Sequence, residues 1–320
     1  MKVRSLLQQL IVFVIFTGVF PAFGIVIPSS TTAGAISDIN YYLAPYDTVK
    51  NGVNLNGVVL VGFGGGTFCS GALISPTQVL TAAHCFGSSP TVNFIDSSNN
   101  LLPIVASSFE IDPDFSGFPS SADLAIINLS SVAPSFATIY RLFTGIYTNG
   151  ATITIAGFGY SGNGDTGATT GGGTRMVGEN SYDTNGTFDG LGPTLRVGDF
   201  DNGNAANNAI PGSGLGLPDE VDVSHGDSGG PSFYNGQLIG IHNFIDCVGP
   251  GTCSSPPSVQ ATGAPNSYYG ELFGDTSIDA NATWIQSVVT PEPSSWLLCC
   301  GALALQAMAV RRRAKRSDSR

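Results

Sequence analysis

Basic residues are scarce in this chain and unevenly placed. Twelve Lys and Arg stand against 23 Asp and Glu, and eight of the twelve lie near the ends: Lys2, Arg4, Arg311, Arg312, Arg313, Lys315, Arg316 and Arg320. The body, residues 25–290, keeps only Lys50, Arg141, Arg175 and Arg196 against 21 acids, a net charge of −17. Such a surface is soluble and attracts cations or basic substrates, but it lacks the basic patch needed to neutralise phosphates. Nucleic acid is excluded as a partner. Histidine is scarcer still, with only His84, His225 and His242, so the candidates for a general base are few. No full EF-hand pattern is present either.

What is present centres on Ser224-His225-Gly226-Asp227-Ser228-Gly229-Gly230-Pro231. Glycine on both sides of Ser228 permits positive φ and lets a substrate carbonyl approach the main chain. A serine hydroxyl needs a base to take its proton, and the oxyanion formed on attack needs N–H donors, here those of Gly226 and Ser228. Upstream, Thr81-Ala82-Ala83-His84-Cys85 supplies a histidine and Asp123-Leu124-Ala125-Ile126-Ile127 an aspartate at the head of a strand-like run. The order is His, Asp, Ser. Residues 226–230 also fit the G-x-S-x-G pattern of α/β-hydrolases, but that fold places acid and histidine after the serine. Only His242 follows Ser228, and no α/β pattern surrounds it.

TAAHC, DLAII and GDSGGP in this order resemble the chymotrypsin/trypsin family of serine proteases, with matching segments from about Tyr46 to Val289. The resemblance implies an all-β fold of two six-stranded antiparallel Greek-key β-barrels with a short C-terminal helix. It also implies a catalytic triad of His84, Asp123 and Ser228, an oxyanion hole at Gly226 and Ser228, and Asp227 as organiser of that loop. In the family the organiser pairs with a new N-terminal amine, yet no IVGG-like sequence stands at the expected distance before Cys69. Signal cleavage would expose Ile25 or Ile36, neither at the family spacing. Asp222, six residues before Ser228, falls at the floor of the specificity pocket, where it would favour Arg or Lys in the substrate. Asn243, Phe244 and Ile245 fall on the pocket wall, with Ile245 where trypsin-like enzymes keep glycine. His225 and His242 read as a pocket-mouth residue and a strand residue.

The remaining pattern is consistent with this. Forty-two Gly and 19 Pro break the chain into short β-branched runs. Residues 58–63, 72–74, 78–81 and 124–129 are expected in the first barrel, and 152–158, 231–234 and 237–244 in the second. Residues 279–289 are expected to form the closing helix. The resemblance implies a Cys69–Cys85 bond. Cys247 and Cys253 share one short loop and are expected to pair, and both bridges suit an oxidising compartment. The family's cysteine four residues before the nucleophile is Ser224 here. The Gly-, Asn- and Asp-rich segment 159–219 reads either as long surface loop or as oxygen-rich ligands for a hard cation such as Ca²⁺. No other cofactor is implied.

Both ends carry addresses. Residues 1–24 read as a signal peptide, with Lys2 and Arg4, an apolar run over 6–20 and a small-residue cut site at Ala22-Phe23-Gly24. A second candidate cut follows Ala33-Gly34-Ala35, and a membrane helix is the alternative for the run itself. Residues 291–320 resemble the PEP-CTERM sorting tail of Gram-negative bacteria: Pro291-Glu292-Pro293, an apolar anchor helix over 294–310 that includes Cys299 and Cys300, then the basic cluster. The resemblance implies an exosortase-like sorting enzyme as partner and an exported protein, extracellular or on the cell surface, anchored in the inner membrane as a precursor. Between the addresses, residues 25–290 form the protease domain, a secreted endopeptidase acting on protein or peptide substrates. The competing reading is a protease fold kept as a non-catalytic surface or matrix binding protein.

Overall fold

Short runs of Val, Ile, Leu and Phe punctuated by Gly, Asn and Asp leave the chain no long helical face to bury, so burial is achieved by strands. The computed structural model describes residues 24–30, 34, 36–87, 90–247 and 266–289. In chain order they form β1 (Ile25–Ile27), α1 (Ile39–Tyr42), β2 (Val49–Lys50), β3 (Val53–Asn54), β4 (Val58–Gly62), β5 (Phe68–Ser75), β6 (Gln78–Thr81), β7 (Thr91–Ile95), β8 (Leu101–Ile111) and β9 (Ala125–Leu129). There follow β10 (Thr152–Gly157), β11 (Ser161–Asn163), β12 (Gly167–Thr170), β13 (Met176–Ser181), β14 (Thr184–Asn185), β15 (Leu195–Asp199), β16 (Pro231–Tyr234), β17 (Gln237–Cys247), β18 (Glu271–Ser277) and α2 (Ala282–Val288). The fold is all-β. The helix expected over 279–289 is present as α2, and Gln78 Nε2 donates to its Val288 carbonyl at 3.1 Å, docking it on the first barrel.

Strands β4-β5-β6-β9-β8-β7 close into a six-stranded barrel, but the second half differs from the expected second six-stranded barrel. It is a seven-stranded sheet in the order β13-β10-β16-β17-β18-β15-β14. Its seam is bridged by a side chain instead of a backbone ladder: buried Asn180 of β13 donates through Nδ2 to the carbonyls of Asp199 on β15, at 3.1 Å, and Val221, at 2.9 Å. Segment 159–219, one reading of which was loop, contributes five strands, β11 to β15. Its Gly and Asn content hid them, because those residues depress strand propensity whatever the tertiary pairing.

One apolar cluster joins the two halves. Val58, Ala72, Leu80 and Ile126 from the barrel pack with Ala156, Phe158, Phe233, Leu238 and Ile241 from the sheet, and Ile285 of α2 completes it. Across the same junction the buried guanidinium of Arg175 donates to the carbonyls of Ala44, Pro45, Leu55 and Val58. The halves are thus fixed to each other, which a site assembled from both requires. Among the described residues no helix is long and apolar enough to cross a membrane; the expected anchor over 294–310 and, apart from Gly24, the signal over 1–24 lie outside them.

Candidate active site

Strand β6 ends at Thr81, and the chain makes one 3₁₀ turn over Ala83–Cys85 that carries His84 to the barrel rim. The Cys69–Cys85 disulfide ties that turn back to β5, as the resemblance implied. Asp123 stands just before β9, wholly buried, and grips His84 twice: one carboxylate oxygen accepts the backbone N–H at 2.8 Å and the other lies 2.5 Å from Nδ1. With Nδ1 engaged by a carboxylate, the ring's Nε2 is left as the acceptor of a proton. The sheet steadies the aspartate loop from the other side. Asn243 Nδ2 donates to the Ser120 carbonyl at 2.8 Å and to Thr276 Oγ1 at 3.0 Å, and the Thr276 hydroxyl faces the Asp123 carbonyl at 3.5 Å. The Phe118 ring meets the His84 ring edge-on, with centroids 4.8 Å apart.

Ser228 comes from the other half and is held by the barrel. The Ser70 N–H donates to the Ser228 carbonyl at 2.8 Å, and the Ser70 hydroxyl donates to the Gly226 carbonyl at 2.9 Å. Gly229 has φ +78°, and a Cβ there would stand 2.0 Å from Thr81 Oγ1, so only glycine lets the loop approach β5 and β6 this closely. Gly226, at φ +95°, likewise has no room for a side chain beside Phe68. Among the described residues no acceptor takes the N–H of Gly226 or Ser228. Ser70 was not singled out in the sequence; its signal was its position beside Cys69, one strand from the histidine.

Asp227 is fully buried, and its partners are internal. Oδ1 accepts the Gly159 N–H at 2.7 Å, and Oδ2 accepts the N–H and the hydroxyl of Ser224 at 2.9 and 3.0 Å. The residue standing in for the family's cysteine is therefore a ligand of the loop organiser. Burial pushes the Asp227 carboxyl up to about 6, against the pull of the Gly159 donor.

His84 and Ser228 line one cavity of about 280 Å³, together with His225, His242, Asn243, Phe244 and Ile245. Asp222 does not line it. That side chain is wholly buried, its Oδ1 takes the Val223 N–H at 2.7 Å, and its backbone pairs with Val26 of β1. Burial, with Glu271 next, holds its carboxyl well above the usual range. The residue expected as a charged pocket floor is thus buried outside the lining, to which its neighbours Val223 and Ser224 belong. Cys247 is disulfide-bonded; its expected partner Cys253 lies outside the described residues. Within 159–219 the Asp199 carboxylate accepts the N–H groups of Ala209 and Ile210, and just beyond it Glu220 accepts those of Asp201 and Leu217. Among the described residues no group of three His, Cys, Asp or Glu is placed to hold a metal.

A carboxylate-held histidine from the barrel and a glycine-flanked serine from the sheet half thus share one cavity, an arrangement that suits serine nucleophile chemistry. The Trypsin family model matches residues 54–261, and the chain belongs to that family of serine endopeptidases. It is 28% identical to brachyurin of Leptuca pugilator over 192 residues, covering 57% of this chain and 77% of that one. It is also 28% identical to a trypsin of Saccharopolyspora erythraea over 210 residues, covering 61% and 83%. Among solved structures, neuropsin, a serine protease expressed in the limbic system of mouse brain, superposes with a TM-score of 0.56 at 19% identity, over 76% of this chain and 97% of that one. The last likeness concerns the fold.

Proposed function

We propose that this endopeptidase cleaves protein or peptide substrates by acyl transfer through Ser228. His84 takes the hydroxyl proton and returns it to the leaving amine. Asp123 fixes the ring and stabilises its charged form, and the N–H groups of Gly226 and Ser228 receive the oxyanion. The observation that carries this reading is the double hydrogen bond from buried Asp123 to His84 in a cavity shared with Ser228. A fluorophosphonate probe should label wild type at Ser228 and leave Ser228→Ala unlabelled. Failure of the wild type to react would instead favour a non-catalytic binding protein.

The same reading includes export, with removal of residues 1–24 in preference to a cut after Ala35. A cut after Ala35 would discard β1, whose three residues are all buried and pair in parallel with β11. Gly24 packs against the backbone of residues 157–159, the segment that supplies an N–H to Asp227. Ile25 has φ +71°, a costly conformation for a β-branched residue, and that torsion ceases to exist once the 24–25 bond is cut. The freed amine would then stand beside the Asp227 cradle. N-terminal sequencing of the mature protein should read Ile-Val-Ile. The tail 291–320 is proposed as a sorting signal on its sequence alone. Extracellular protein that keeps Arg320 would refute that role.

A preference for Arg or Lys rested on Asp222, and its burial gives that preference no contact. Primary specificity is left to the residues that do line the cavity.

A further inference from the structure

The wall of the cavity contains a charge-bearing group that the proposed triad does not use. His242 on β17 is 1% exposed, and its Nδ1 lies 2.9 Å from Oδ1 of Asp275 on β18, itself wholly buried. The other Asp275 oxygen accepts the hydroxyl of buried Tyr182 at 2.5 Å. The ring is therefore held from behind, in a fixed orientation and with its Nδ1 proton committed to Asp275. Its Nε2 is buried and has no hydrogen-bond partner among the described residues. The Ala156 carbonyl lies near the ring and favours its protonated form, yet completes no hydrogen bond to Nε2. An imidazole fixed on one nitrogen and unmet on the other, in the wall that a substrate side chain would occupy, is half of a contact.

The rest of the wall indicates the other half. Among the described residues no carboxylate lines the cavity, Asp222 being buried and outside its lining. Val223, Phe244 and Ile245 offer apolar surface for a short methylene stem, and the second imidazole, His225, stands at the rim. We propose that His242 is the specificity-determining residue of this site and that it receives a carboxylate, the side chain of an acidic residue immediately before the scissile bond. This rests on the acyl-transfer reading above. A carboxylate would accept the Nε2–H of the charged ring and complete a row from Tyr182 through Asp275 and His242 to the substrate. Burial opposes charge on this ring, but Asp275 first and Asp227 next outweigh it, so its pKa is raised. A basic side chain would meet the same charge as repulsion.

The test is kcat/KM for fluorogenic peptides that differ only in Glu, Gln, Ala or Arg before the scissile bond, measured from pH 6 to pH 9, with fluorophosphonate labelling in parallel. Glu should exceed Gln by about tenfold or more at low pH, and the ratio should fall as the ring deprotonates. Removing His242 alone would strand a buried carboxylate, so the variant is the double substitution His242→Val with Asp275→Asn. It should bring the variant's own Glu to Gln ratio to about one and remove its pH dependence, with probe labelling used to count folded enzyme. A Glu to Gln ratio that is near one or flat with pH, or a preference for Arg, in enzyme that labels normally would overturn this proposal alone. Absence of both labelling and turnover in wild type would overturn it together with the acyl-transfer reading.

Discussion

The closed barrel and the open sheet bury different things. The barrel interior is Val, Leu, Ile and Phe, and Asp112 and Asp123 are its buried carboxylates among the described residues. The sheet side buries Asp199, Asp201, Glu220, Asp222, Asp227, Glu271 and Asp275. Burial, with Asp199 and Asp183 adding to it, pushes Asp201 up to about 8; burial with Asp199 alongside pushes Asp183 up to about 7. The barrel thus buries few ionisable groups, with Asp112 raised by burial, while the sheet half has far more of its stability tied to protonation. A site drawn from both inherits rigidity from one and titration from the other.

The largest effect should come from cutting the site on either side of that division. Ser228→Ala, in the sheet half, or His84→Ala, in the barrel, should each lower kcat by about a millionfold, because such groups act as a unit. Asp123→Asn should cost roughly ten-thousandfold through loss of the correct tautomer, with near-normal urea melting. Appreciable turnover in purified Ser228→Ala would place the nucleophile elsewhere.

Next is the strut between the halves. Arg175→Met leaves four carbonyls without their donor and should cost on the order of 4 kcal/mol in urea unfolding, with the two halves no longer melting together. A single unchanged transition would mean that the apolar junction alone holds them. The barrel has its own device in the disulfide. Replacing Cys69 and Cys85 by alanine reopens a loop of 16 residues, worth about 3 kcal/mol in the chain-entropy account. That loss should be the same at pH 5 and pH 8, since no titrating group is involved.

The smallest effect is the pH dependence itself, and its sign is fixed. Asp183, Asp201 and Asp227 have folded-state pKa values raised above the unfolded value near 4, so over the range between them the native state holds the protons that the unfolded chain has released. Their stabilisation is full below about pH 4 and is lost as pH rises through 6 to 8. His242, also raised, loses its share in the same direction. The melting temperature should fall by roughly 5 °C between pH 5 and pH 8, and Asp201→Asn should flatten that slope. A rise over the same interval would contradict the burial argument.

The proposed constellation was legible in the chain because it is carried by local, steric requirements. A serine between glycines, a histidine ahead of a cysteine and an aspartate heading an apolar strand each leave a signature of a few residues; His84 and Ser228 line one cavity, and buried Asp123 lies behind His84. The pairing of Cys69 with Cys85 and the closing helix were expected from the family resemblance, and both are present. Other features depend on what lies opposite. Asp222 is indistinguishable in sequence from a pocket floor, and only the structure shows it wholly buried, paired through its backbone with Val26 and outside the cavity lining. Ser224 looks like a missing bridge until Asp227 is seen to use its N–H and hydroxyl. His242 reads as an ordinary strand residue because its partner, Asp275, is 33 positions away on β18. The sequence determined which chemistry is present; the tertiary structure decided which buried charges face the substrate, since burial and charge pairing are properties of neighbours in space.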